Sequence, residues 1–156
     1  INGNMADNSA SQAGAVYIFS RSGGTWTEQD YVKASNTEGG DHFGSSVALS
    51  SDGNTLAEGV SNEDSAATGI NGNETDNSAA NAGAVYIFVR NGSWSQKAYV
   101  KASNTEGGDV FGASVALSSD GNTLAVGVGL EDSAATGING NAADNSAARA
   151  GAVYLY

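Results

Sequence analysis

The chain repeats itself with a long period. The run from Tyr31 to Asp41 returns unchanged as Tyr99 to Asp109, Val47 to Ala57 returns as Val115 to Ala125, and the polar stretch Glu63 to Asn73 returns as Glu131 to Asn141. Ile1, Ile70 and Ile138 mark equivalent places, 69 and then 68 residues apart. A unit of that size is a supersecondary element that buries its apolar face only against a neighbour, so the chain is expected to act as an array. Residues 1–19 also match residues 138–156. The matching ends predict either a piece of a longer array or a subunit that completes its fold with another copy.

Within one unit the apolar residues fall at a period of two. Phe43, Val47 and Leu49 share one face of an expected strand, with Gly44, Ser46, Ala48 and Ser50 on the other. Ser51-Asp52-Gly53-Asn54 then predicts a tight turn built on positive φ angles. Asn54 to Val60 returns as a second strand with Leu56 and Val60 on the apolar face. After the polar loop, Gly83 to Val89 is apolar on both sides, which suits a strand sandwiched between two neighbours. Asn91-Gly92, or Ser22-Gly23-Gly24 in the first copy, turns into a fourth strand from Trp94 to Ala102. No helical periodicity stands out, and the 22 glycines without a single proline agree with short strands and turns. Four antiparallel strands per unit describe the blade of a β-propeller. A β-solenoid is the competing architecture, but its coils are usually much shorter than this period.

Net charge of −11, with six Lys and Arg, makes nucleic acid and anionic lipid poor partners. No stretch reaches the ~20 apolar residues of a membrane helix. The absence of cysteine removes disulfides, thiolate metal sites and a Cys nucleophile. The only histidine, His42, is Val110 in the next copy, so a Ser-His-Asp arrangement would rest on one isolated loop residue. The chain therefore reads as a non-enzyme, and its acidic, Asn- and Ser-rich composition is common in secreted proteins.

Asp41-His42-Phe43-Gly44, followed by Leu56 to Val60 and then Gly83-Ala84-Val85-Tyr86-Ile87-Phe88, resembles the FG-GAP repeat of integrin-α-type propellers, above all the bacterial surface-protein versions. The resemblance covers nearly the whole chain. It implies an all-β fold of four-stranded blades: a partial blade over 1–34, a complete blade over 43–102 and a partial blade over 111–156. These would be about two blades of a seven-bladed ring, or of a repeat assembly. It also implies an extracellular or cell-surface module for adhesion, recognition or scaffolding. The alternatives are a subunit polymerising head to tail into a fibre or surface layer, and a carbohydrate-binding propeller. Expected partners are neighbouring blades of the same longer chain or other copies of it, with protein or glycan ligands.

The family's calcium loop does not carry over. Its Asp-rich sequence is cut here to Ser51-Asp52-Gly53-Asn54 and Ser119-Asp120-Gly121-Asn122, too short to supply the six to eight oxygens that Ca²⁺ takes. The long loop is the better Ca²⁺ candidate, through Glu63, Asp64, Asn71, Asn73 and Asp76 and their equivalents Glu131, Asp132, Asn139, Asn141 and Asp144. The competing reading is a loop ordered by Asx-turns. Glu74 is not a repeated ligand, since Ala142 and Met5 take its place. Glu58 stands where the next copy has Val126. It reads either as a functional carboxylate at an axis or interface, or as a residue on a strand edge open to solvent. Trp26, Trp94, Tyr31, Tyr99, Phe43 and Phe111 recur strictly, which fits packing between blades better than sugar stacking.

Overall fold

The computed structural model describes all residues 1–156. It is all-β, with nine strands in three antiparallel sheets. Strands β1 (Val16–Ser22) and β2 (Thr25–Val32) form a two-stranded sheet. Strands β3 (Ser46–Leu49), β4 (Thr55–Val60), β5 (Ala84–Asn91) and β6 (Ser93–Val100) form the middle sheet in sequential order. Strands β7 (Ser114–Leu117), β8 (Leu124–Val128) and β9 (Ala152–Leu155) form a third sheet that ends at β9. Four sequential antiparallel strands are the anatomy of a propeller blade.

The middle sheet is buried on both faces because its strands carry two apolar sets. Leu56, Val60, Tyr86, Phe88, Trp94 and Tyr99 turn toward the first sheet and pack there with Val16, Ile18 and Val32. Ala57, Val85 and Val100 turn toward the third sheet and meet Phe111, Leu124, Val126 and Val128. Alternation of side chains along a strand makes both statements true at once. Val85 and Tyr86, adjacent in sequence and on opposite faces, are both fully buried.

The Phe-Gly pair staples one sheet to the next. Phe43 bridges Gly14 in parallel and Phe111 bridges Gly83 in the same way, each phenylalanine N–H donating across at 2.9 Å, to Ala13 and Ala82 respectively. The backbones approach so closely that a Cβ on Gly14 or Gly83 would lie 2.0 or 2.1 Å from the phenylalanine carbonyl oxygen. The Phe43 ring then sits 5.7 Å from Tyr86 and 6.1 Å from Phe88.

Three expectations are corrected. Phe43 precedes β3 instead of lying in it, and Val47 and Leu49 are each 54% exposed although they lie on the face of Leu56. In the Asp-Gly turn only Gly53 takes a positive φ, and Asp52 instead accepts hydrogen bonds from the Asn54 N–H and the Ser50 hydroxyl. Trp94 is buried as packing between blades requires, but its equivalent Trp26 is 65% exposed.

Candidate functional site

The long loop that follows β4 in the middle blade, and β8 in the third, folds through left-handed turns. Gly69 and Asn71 have φ of 70° and 57°, and Gly137 and Asn139 repeat them at 78° and 56°. The side chains proposed as metal ligands are mostly occupied in shaping this loop. The Asp64 carboxylate accepts the Asn81 N–H at 2.7 Å, Asn73 accepts the Thr75 N–H at 3.1 Å, and Asp76 accepts the Ala66 N–H at 2.9 Å. Asn71 takes the Tyr99 N–H at 3.0 Å. In the second copy Asp132 accepts from Arg149, Asn141 from Ala143 and Asp144 from Ala134. Nowhere do three Asp, Glu or His side chains converge so as to hold a metal ion. Asn73 and Asn141 make the local i→i+2 bond of an Asx-turn, while Asp64, Asp76 and their equivalents tie distant parts of the loop together and Asn71 ties it to β6.

Glu63 does something different. It is buried, and its Oε2 accepts the Lys101 ammonium at 2.9 Å and the Ser65 N–H at 3.1 Å. Both partners of this ion pair are out of reach of water, where such a pair persists only with close geometry and supporting hydrogen bonds. Burial nevertheless pulls the lysine below its ordinary pKa, against the pull of Glu63. The equivalent Glu131 is equally buried and accepts the Ser133 N–H at 3.0 Å and the Asn104 amide at 3.4 Å, without a cation. Lys33, the equivalent of Lys101, donates to the Gly14 carbonyl and has no carboxylate within bonding reach.

Beside each loop lies a second carboxylate that the sequence reading missed. Burial pushes Asp41 up to about 6, with Glu38, Glu63 and Asp64 adding to the effect. Asp109 is raised to about 6 in the same way, with Glu106, Glu131 and Asp132 around it. Both lie in the exact repeat ending in Gly-Gly-Asp, but nothing in that run announces burial.

Glu58 lies on β4 between Val47 and Tyr86 and is completely buried, so the reading of a strand edge open to solvent is overturned. One carboxyl oxygen accepts the Gly44 N–H, while Oε2 has no partner. No lysine or arginine pairs with it, and desolvation pushes it up to about 9. The carboxyl is therefore protonated at neutral pH. His42 sits in a left-handed turn with φ of 60°, its ring 3.4 Å from the Asn62 amide, and it forms no hydrogen bond to a serine hydroxyl or a carboxylate. No helix is long and apolar enough to cross a membrane.

The family model for the FG-GAP repeat matches residues 26–88 and again residues 94–156. The chain belongs to the FG-GAP repeat family. No curated protein matches it. Both matched segments start at the tryptophan of a fourth strand, Trp26 or Trp94, and run into the Gly-Ala-Val-Tyr strand of the next sheet, so each contains the phenylalanine of one staple. FG-GAP repeats build β-propeller-type modules that are typically extracellular and generally non-enzymatic, and the three stacked sheets agree with that architecture.

Proposed function

We propose that this FG-GAP chain is a non-enzymatic extracellular module for adhesion, recognition or scaffolding. The observation that carries the reading is the way buried groups are used. The buried ion pair, the side-chain bonds to loop N–H groups and the Phe-Gly staple all hold blades and loops in place, and the one histidine bonds neither a serine hydroxyl nor a carboxylate. What the stack offers to partners is therefore rigid loops on a fixed scaffold, the usual basis of recognition. The test is to immobilise the purified chain and probe it with arrays of extracellular proteins and glycans, alongside a screen for hydrolytic turnover. Saturable binding without turnover is expected, and turnover that survives rigorous purification would end the reading.

A second reading, head-to-tail assembly, is favoured by one observation. The two outer flanks expose complementary faces: Tyr17, Phe19, Val47 and Leu49 on one side, and Val153 and Leu155 on the other. Inside the molecule the equivalents of these two faces pack against each other. Such faces call for a neighbouring blade, which either the same longer chain or another copy supplies.

A further inference from the structure

In an Asn-Gly pair the backbone nitrogen that follows the side-chain amide is shielded by no side chain of its own, so the two can react with each other. The chain has such pairs at Asn2, Asn71, Asn91 and Asn139. Asn71 is held by β6: its Oδ1 accepts the Tyr99 N–H at 3.0 Å and its own N–H donates to the Tyr99 carbonyl at 2.7 Å. Asn2 is held by Tyr31 of β2 in the same way, at 2.8 Å and 2.6 Å. The Asp-Gly turns, which could cyclise by the same route, are blocked at both reacting groups. Gly53 N–H donates to the Ser50 carbonyl and Gly121 N–H to the Ser118 carbonyl, each at 2.9 Å. Hydrogen bonds from the serine hydroxyl and from Asn54 or Asn122 hold the Asp52 and Asp120 carboxyls below their ordinary pKa, in the charged form that resists attack.

Asn91 is placed differently. It is the last residue of β5 and Ser93 is the first of β6, so Gly92 alone closes the hairpin, and all three residues are exposed. The hydrogen bonds at this end of the sheet go to the residue before: Arg90 N–H and its Nε both donate to Asn54, at 2.8 Å and 3.1 Å, and neither the Asn91 side chain nor the Gly92 N–H has a partner. A Cβ built on Gly92 would meet nothing within 4 Å, whereas one on Gly72 would lie 2.6 Å from Ala67. The tip of the first sheet, Ser22 to Gly24, is exposed in the same way although the whole middle sheet stands beside it, so a neighbouring blade does not cover this turn. Exposed tips of this kind are also the parts of a fold that open locally at least cost.

We propose that Asn91 is a site of spontaneous covalent modification, in which the Gly92 backbone nitrogen displaces the Asn91 side-chain amide and water then converts the residue to aspartate or isoaspartate. The Gly92 nitrogen gives up its proton to hydroxide and bonds to Asn91 Cγ. The Cγ–Nδ2 bond breaks and ammonia leaves. Water adds across one of the two carbonyls of the succinimide ring, and cleavage of one ring C–N bond or the other yields the two products. No oxidant or reductant takes part. Either product adds a carboxylate beside Arg90, whose guanidinium lies over Trp94 at 5.6 Å from the ring centre. The isoaspartate product also puts an extra carbon into the connection that Gly92 alone spans, so it loosens the Arg90–Trp94 end of the β5–β6 pairing.

The test ages the full chain at mildly alkaline pH and reads each site by peptide mass spectrometry, with methyl transfer by an isoaspartyl methyltransferase as the probe for isoaspartate. The readout is per site, and Asn71 is the control because the strand that holds it lies within the chain. In the folded protein Asn91 is expected to gain one dalton at least tenfold faster than Asn71. In guanidinium, where no strand holds either residue, the two rates should come within a few-fold of each other. Asn91→Gln, whose longer side chain closes a ring far more slowly, should abolish the change in the 84–100 region while leaving the circular dichroism spectrum and the unfolding midpoint as in wild type. Folded chains in which Asn71 keeps pace with Asn91 would overturn the proposal. An Asn91 that folding protects as strongly as Asn71, judged against the unfolded rates, would overturn it too.

Discussion

The middle blade and its two flanking sheets share nearly the same sequence and differ sharply in burial. Val85 is fully buried while Val153 is 69% exposed, and Tyr86 is fully buried while Tyr17 is 48% exposed. Each pair occupies the same place in the Gly-Ala-Val-Tyr strand. The difference teaches that burial in this fold belongs to position in the stack and not to the residue. The flank before β1 lacks a neighbour for one face, and the flank after β9 lacks one for the opposite face. Polar groups obey the same rule, since Glu63 meets its lysine within the middle blade and Glu131 does not.

The comparison breaks most directly at the two lysines. Lys101→Met leaves Glu63 buried without its cation and is expected to destabilise the chain by about 3–5 kcal/mol, the usual cost of removing one partner from a buried pair. Lys33→Met removes only a bond to the Gly14 carbonyl at a partly exposed site and should cost less than about 1 kcal/mol in the monomer. Denaturant unfolding of both variants at low protein concentration measures the contrast. Equal losses would mean that the two sites are equivalent after all.

Glu58 sharpens the comparison from within the stack, because β8 carries Val126 at the same register, opposite the equivalent tyrosine. Glu58→Val should stabilise the chain by about 2 kcal/mol by removing a buried carboxyl with an unpartnered oxygen. The pH dependence follows from the same group. Its folded pKa of about 9 lies above the unfolded value of 4.5, so between those limits the folded state holds more protons than the unfolded state. Stability then falls as pH rises through that window. Asp41 and Asp109, raised to about 6, act in the same direction at its lower end. The melting temperature of wild type is expected to decline from pH 5 to pH 9, and Glu58→Val should flatten the part above pH 6.

The order of strands, the sandwiching of Gly83 to Val89 and the family were all legible in the sequence, because period-two alternation and exact repetition are local signals. The fates of Val47, Leu49 and Trp26 were not, since each depends on whether a neighbouring sheet is present. Asx-turns and a calcium loop draw on the same residue types. Only the positions of the backbone N–H groups show that Asp64, Asn73 and Asp76 bind their own loop. Glu58 stood out as an anomaly, but its burial depends on the face to which β4 turns it. The ion pair was invisible for a plainer reason: Glu63 and Lys101 are 38 residues apart and meet only once β6 has added to the sheet.

The smallest expected effect distinguishes the two copies at their staples. His42 and Val110 occupy the same left-handed position just before the Phe-Gly pair, with φ of 60° and 58°. A β-branched side chain is the costliest kind to place there, because its Cβ crowds the carbonyl oxygen. Asparagine tolerates that region through local hydrogen bonding. Val110→Asn is therefore expected to raise stability by about 1 kcal/mol, and His42→Asn by only a few tenths, as read from unfolding midpoints of the two single variants. A Val110 gain no larger than that at His42 would show that the strain is relieved by its half-buried packing, and that the third sheet tolerates in its staple what the middle sheet avoids.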